Sequence, residues 1–249
     1  MSTSIKSRVV WLCGASTGIG RALANELLST EVNLIVSSRE INRLNEFMGK
    51  AYFLKCDVNN QDDWRRSAQE VEKLFGRVDT FIYNAGDCEY IDVRDLKYDA
   101  FERVMKVNFL GMLRGLEYVL PMMRKGNHPH IVGVSSSVDY FPLPTAEAYG
   151  ASKAALNYML ESLRVDLAPE GIDVSIVKPG FVKTPLTDKN DFPMPFIISA
   201  EEAGKRIHKG IQKRSHVIDF PRRFTWMIRL MGLMPSSIRF ILSRRFSRR

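Results

Sequence analysis

Short apolar, β-branched runs alternate with longer amphipathic stretches along this chain, and that alternation leaves few architectures open. Residues 9–13 read as a buried strand, as do 32–37, Tyr52–Lys55, 79–83, His130–Val134, 173–177 and 216–220. The segments between them carry helical spacing. In Gln61–Phe75 the apolar or small positions are Trp64, Ala68, Val71, Leu74 and Phe75, which follow the i, i+3, i+4 rhythm of a helix. Helices are also predicted over 18–29, Ile41–Phe47, 98–123, 148–167 and 201–212, with Pro169 and Gly171 closing the 148–167 segment. Apolar strands separated by helices belong in a parallel sheet covered on both faces.

The expected fold class is therefore α/β: a doubly wound, Rossmann-like parallel sheet in three layers, with ligands at the carboxyl ends of the strands. One catalytic domain is expected over 1–220, extended by a basic, apolar helical segment over 221–249. Cys13, Cys56 and Cys88 are an odd, scattered set with no CxxC spacing, as in a reduced compartment. The short polar start and the lack of any run of roughly 18 apolar residues predict a cytoplasmic protein without a bilayer-spanning helix. No histidine set has metal-ligand spacing, so no metal is expected.

A glycine turn, Gly14-Ala15-Ser16-Thr17-Gly18-Ile19-Gly20, follows the first strand and opens a helix. Glycines let backbone approach a pyrophosphate, and a helix N-terminus offers free N–H groups and a positive dipole end. The spacing is not GxGxxG, and no Lys-Ser/Thr follows to make a P-loop. After the second strand come Ser38 and Arg39, where a site for NADH places an acid that accepts from the ribose 2′-OH. Serine and arginine suit a 2′-phosphate instead, so NADPH/NADP+ is the expected cofactor. Asp57-Val58 follows the third strand and Asn84-Ala85-Gly86 the fourth. Asp57 is placed to meet an adenine amino group, or else to cap the helix near Gln61.

Tyr149 and Lys153 stand four residues apart at the start of a predicted helix and share one face. An ammonium there lowers the pKa of the phenol, which then serves as an acid/base toward a carbonyl or alcohol. Ser136 follows the strand His130–Val134, thirteen residues before Tyr149, and Asn108 lies in the preceding helical region. With the glycine turn, Asp57, Asn84-Ala85-Gly86 and Pro179-Gly180 in the same order, the chain resembles the short-chain dehydrogenase/reductase family in its single-domain form, from about Arg8 to Thr184. The resemblance implies hydride exchange between a nicotinamide and a carbonyl or secondary-alcohol carbon. It casts Tyr149 as acid/base, Ser136 as polariser of the carbonyl, and Lys153 as ligand of the nicotinamide ribose and tuner of Tyr149. Asn108 supports a water-linked proton relay, and Val182 and Thr184, after Pro179 and Gly180, hold the carboxamide. It also implies a homodimer or homotetramer built on the helices near 108–123 and 149–167. Cys13 and Tyr83 depart from the family pattern, and the first is expected to loosen a hydrogen bond near the glycine turn.

The segment 186–198 is rich in Phe, Pro, Met and Ile, Phe192 among them. It reads either as a lid over an apolar or lipid-like substrate or as ordinary core. Val138, Asp139, Tyr140 and Phe141 are candidates for the opposite wall. The formal charge of +8 is uneven: residues 205–249 carry +12 and the rest −4. A segment from Phe224 to Met231, apolar on nearly every side, and a second helix capped by Ser236 or Ser237, with Ile238, Ile241 and Leu242 on one face, sit among arginines through Arg248 and Arg249. That pattern fits an anionic membrane surface, on the cytoplasmic side, or an oligomer or lid contact. No nucleic-acid motif is present, and no such partner is expected. A dinucleotide sensor or a membrane-peripheral scaffold is the rival to an enzyme.

Overall fold

The alternation becomes one sheet in the computed structural model, which describes residues 8–246. Arg248 and Arg249 lie outside the described residues. The strands are β1 (Arg8–Cys13), β2 (Val32–Ser38), β3 (Tyr52–Lys55), β4 (Thr80–Tyr83), β5 (His130–Val134), β6 (Asp173–Pro179) and β7 (Val217–Phe220). All pair in parallel, in the order β3-β2-β1-β4-β5-β6-β7. The order reverses between β1 and β4, which opens a crevice beyond their carboxyl ends.

The helices are α1 (Gly18–Leu28), α2 (Gln61–Phe75), α3 (Tyr98–Met105), α4 (Gly111–Met123), α5 (Glu147–Leu167), α6 (Ala200–Gln212), α7 (Arg222–Gly232) and α8 (Ser236–Phe246). Strand side chains alternate between faces. Val9, Trp11 and Cys13 join Phe81 and Tyr83 in a core beneath α2, α4 and α5, while Val10, Leu12 and Ile82 join the core beneath α1 and α6. This is the three-layer Rossmann-like arrangement. α1 and α6 approach closely because Gly204 has no side chain; a Cβ there would stand 2.9 Å from the Ala22 carbonyl carbon.

Several expectations are corrected in detail. The helical stretch 98–123 is not one α-helix: residues Lys106–Leu110 form a π turn between α3 and α4. Asp79 is not part of β4. Its buried carboxylate accepts from the Val9 and Asn127 N–H groups, at 2.8 and 2.5 Å, and from Arg77, which ties the start of β1 to the turn before β5. β6 runs on to Pro179, because Pro179 still pairs with Phe220. Ser236 is the first helical residue of α8 rather than a preceding cap. Within α8 Leu242 packs on the core, while Ile238 and Ile241 are exposed. α7 lays Phe224 and Ile228 on Phe141, and Ser243 of α8 donates to the Pro142 carbonyl at 2.9 Å.

Candidate active site

The glycine turn takes its shape from contacts with the end of β4. Gly14 has φ +84°, and a Cβ there would lie 2.6 Å from the Ala85 nitrogen. Its N–H donates to the Ser37 carbonyl at 2.9 Å, and its own carbonyl accepts from Asn84 Nδ2 at 2.7 Å. A Cβ on Gly20 would collide with that same Gly14 carbonyl. Gly20 therefore lets α1 approach the turn and does not itself line the cleft. Thr17, in extended conformation, precedes α1 without a side-chain cap, so the first-turn N–H groups of α1 remain for an anion.

These elements bound a cleft of about 280 Å³. Gly14, Ser16, Thr17, Gly18, Ile19, Ser38, Arg39, Asp57, Val58, Asn84, Ala85 and Gly86 line one half of it. Ser136, Tyr149, Lys153, Pro179, Gly180, Val182 and Thr184 line the other. Arg39 is exposed and makes no ion pair among the described residues. Asp57 is not the cap of α2. Asn60 holds that role, accepting from the Asp62 and Asp63 N–H groups at 2.8 and 3.2 Å, which leaves Asp57 at the cleft. The cradle fits a dinucleotide: it is backbone where a pyrophosphate must come close, and it carries a free cation beside Ser38.

Tyr149 and Ser136 both line the cleft. Lys153 sits one turn along α5, its Nζ 5.7 Å from the Tyr149 ring centroid and donating to the Val134 carbonyl at 3.0 Å. Burial pulls the Lys153 ammonium down to about 8, an effect that the nearby Cys88 thiol opposes. Sequence reasoning expects Lys153 to lower the Tyr149 pKa. In this arrangement burial, with Cys88 next, pushes the phenol up, and the Ser136 hydroxyl offsets only part of the rise.

Asn108 stands behind the cleft, within the π turn. Its Oδ1 accepts from the Asp87 N–H at 2.7 Å, and its Nδ2 donates to the Asp87 carbonyl at 2.9 Å and to Ser152 Oγ at 2.8 Å. It thereby fastens the loop after β4 to the first turns of α5. Tyr83 donates to the Val107 carbonyl of the same π turn at 2.5 Å. The Cys13 carbonyl still accepts from Asn84 N at 2.9 Å, so backbone contact near the glycine turn survives the cysteine.

The structure does not bring the expected substrate wall together as one surface. Val138 donates its N–H to Ser136 Oγ at 3.2 Å and shapes the serine. The Tyr140 ring lies under Lys178 Nζ at 4.3 Å and faces Arg229 of α7 at 5.9 Å. Asp139 pairs with Lys178 at 2.8 Å and accepts from Asn157. Phe192 stacks edge-on against Tyr90 at 5.7 Å and Phe181 at 5.9 Å. Sequence reasoning missed Cys88, Tyr90 and Asn190. Tyr90 donates to Asn190 Oδ1 at 2.6 Å, across a hundred residues of chain, and no local pattern announces such a pair.

Among the described residues no group of His, Cys, Asp and Glu could hold a metal, and no helix is long and apolar enough to cross a membrane. The sequence model of short chain dehydrogenases matches residues 8–193. An uncharacterized oxidoreductase of Myxococcus xanthus is 31% identical over 238 residues, 93% of this chain and 94% of that protein. The 11-beta-hydroxysteroid dehydrogenase-like 2 protein of Arabidopsis thaliana is 29% identical, over 96% of this chain and 82% of that protein. A short chain dehydrogenase from Burkholderia cenocepacia, solved in complex with NADP, superposes with a TM-score of 0.84 at 24% identity, over 98% of this chain and 99% of that one.

Proposed function

The chain belongs to the short-chain dehydrogenase/reductase family and is an NAD(P)-dependent oxidoreductase of CH–OH groups, and we propose that it works with NADP(H) on a hydrophobic, lipid-like carbonyl compound or secondary alcohol, with Tyr149 as general acid/base. The observation that carries this reading is the convergence of Ser136, Tyr149 and Lys153 on one backbone-lined cradle, with the Lys153 ammonium one helical turn from Tyr149.

When bound, the nicotinamide supplies or accepts the hydride. The chain does the rest. The Ser136 hydroxyl and the Tyr149 phenol donate to the substrate oxygen and stabilise the charge that develops on it. A phenol held above its ordinary pKa keeps its proton until the oxygen becomes basic enough to take it, which suits the reductive direction. Lys153 holds a positive charge close to that proton transfer and is placed for the nicotinamide ribose. Asn108 acts as a positioning residue. Gly14, Gly18 and the start of α1 take the pyrophosphate, Asp57 and Val58 the adenine side, and Pro179, Gly180, Val182 and Thr184 the carboxamide side. Ser38 and Arg39 support a preference for NADPH, because the guanidinium has no competing carboxylate partner among the described residues.

Residues 221–249 read as an extension of the same domain. Exposed Leu113, Tyr158 and Val165 on α4 and α5 support a homodimer or homotetramer built on those helices. The basic tail supports a place on the cytoplasmic face of a membrane.

The test is NADPH oxidation against a carbonyl panel that includes long-chain keto compounds. Tyr149→Phe should lower kcat/KM by roughly 10²- to 10⁴-fold with cofactor binding retained. Wild-type turnover in that variant would remove Tyr149 from the chemistry. In the same assay Arg39→Ala should erode the preference for NADPH over NADH, and an unchanged ratio would overturn the cofactor assignment.

A further inference from the structure

α7 is apolar on two opposite sides, and the fold uses only one of them. Phe224, Ile228 and Met231 turn inward onto Phe141 and Phe181. Trp226, Leu230 and Leu233 follow at i, i+4 and i+7, so they form a single outward stripe, and they are 58%, 53% and 76% exposed. α8 adds Phe240 and Ile241 to the outer surface, at 63% and 57%. A contiguous apolar stripe facing water has no role in the fold and marks a contact surface.

The charges around the stripe select the partner. Arg222, Arg223 and Arg229 flank it on α7, and Arg244 and Arg245 lie outward on α8. No acidic residue occurs from Phe220 to Phe246, and these arginines make no ion pairs among the described residues. A second copy meeting this face would set arginine against arginine. An anionic lipid surface instead neutralises the arginines while its interface takes up tryptophan and leucine.

The docked face is also tied to the reacting groups. Phe224 lies 5.4 Å from Phe181, Phe181 5.9 Å from Phe192, and Phe192 5.7 Å from Tyr90, in the loop that carries Cys88 and lies beside Tyr149. An aromatic wall thus runs from the inner side of α7 toward the acid/base. Gly232 lies against the Tyr140 carbonyl, in the turn that follows Ser136, where any Cβ would collide.

We propose that the Trp226–Leu230–Leu233 stripe of α7, with the outer side of α8, docks on an anionic phospholipid bilayer, and that the cleft draws a long-chain carbonyl or alcohol substrate from that bilayer. The docking half stands on the surface alone. The substrate half rests on the catalytic reading above.

Trp11 and Trp64 are fully buried and Trp226 is exposed, so a fluorescence change on adding vesicles reports Trp226. With phosphatidylglycerol/phosphatidylcholine vesicles at low salt, the expected result is a blue shift and co-sedimentation, both weakened by salt, with little of either on phosphatidylcholine alone. A Trp226→Ser/Leu230→Ser variant should bind roughly tenfold or more weakly. It should reduce a water-soluble carbonyl at the wild-type rate and a vesicle-borne long-chain ketone several-fold more slowly. Wild-type protein left in the supernatant with anionic vesicles overturns the docking. So does a change in molecular mass of the variant by light scattering, which would assign the stripe to a second copy. Equal rates for the two proteins on the vesicle-borne ketone overturn delivery from the bilayer. If neither protein reduces the soluble carbonyl while the vesicles still bind, the catalytic reading fails and the docking stands.

Discussion

At the carboxyl end of β1 the cleft wall is made of backbone, whereas beyond β6 it rests on side chains. Gly14 leaves no space for a Cβ, and its amide and carbonyl groups are bonded to Ser37 and Asn84. Around Gly180 the support comes from Phe224, Phe181 and Phe192, which arrive from three segments and meet only as packed rings. A wall of backbone binds what every dinucleotide shares, a pyrophosphate. A wall of side chains can be altered one residue at a time, which is where substrate choice belongs.

The sharpest way to break this contrast is Gly14→Ala. Its φ of +84° and the 2.6 Å approach to Ala85 N should cost about 4 kcal/mol of stability and abolish NADPH binding, read by thermal unfolding and cofactor titration. Normal cofactor affinity in that variant would mean the cradle is not built from backbone. Phe224→Ala comes next. Removing a buried ring that supports Gly180 and Phe181 should cost about 3 kcal/mol in denaturant unfolding, while cofactor affinity is retained. A loss of affinity as large as that of Gly14→Ala would merge the two walls into one unit.

The third prediction concerns the lysine between the walls. Lys153 is charged in the folded protein only below about 8, against an ordinary value of 10.5. In the free enzyme kcat/KM for reduction should fall about tenfold within one pH unit above that value. Stability should move the other way. Between about 8 and 10.5 the unfolded chain holds the proton and the folded one does not, so stability to unfolding rises with pH across that window. A pH profile of activity that stays flat to pH 10 would separate Lys153 from the chemistry. The smallest expected effect is Trp226→Ser in solution, within about 0.5 kcal/mol of wild type by thermal unfolding, because the ring is outside the core. A cost near that of Phe224→Ala would place the outer stripe of α7 in the fold after all.

Much of this arrangement is readable along the chain. Seven strands, the glycine turn and the four-residue step from Tyr149 to Lys153 are local, and period-two and period-3.6 patterns report them. Local pattern does not report the π turn at Lys106–Leu110. Helix-compatible residues run through it, and its place is marked by tertiary bonds, from Asn108 to Asp87 and Ser152 and from Tyr83 to Val107. Nor does it report Tyr90 with Asn190, or Asp139 with Lys178 and Asn157, whose members lie far apart in sequence. Sequence alone leaves Asp57 a candidate cap for α2, a role that Asn60 holds in the fold.

Residue order alone was enough for the layered parallel sheet, the location of the cleft at the turns after its strands, and the residue types that line it, since each depends on neighbours a few positions apart. Three-dimensional packing was needed for the pKa direction of Tyr149, the inward and outward faces of α7, and the run of aromatic rings from α7 to Tyr90. Burial and contact between distant segments set those properties, and a helix that is apolar on two opposite sides has no preferred face until the rest of the molecule closes against one of them.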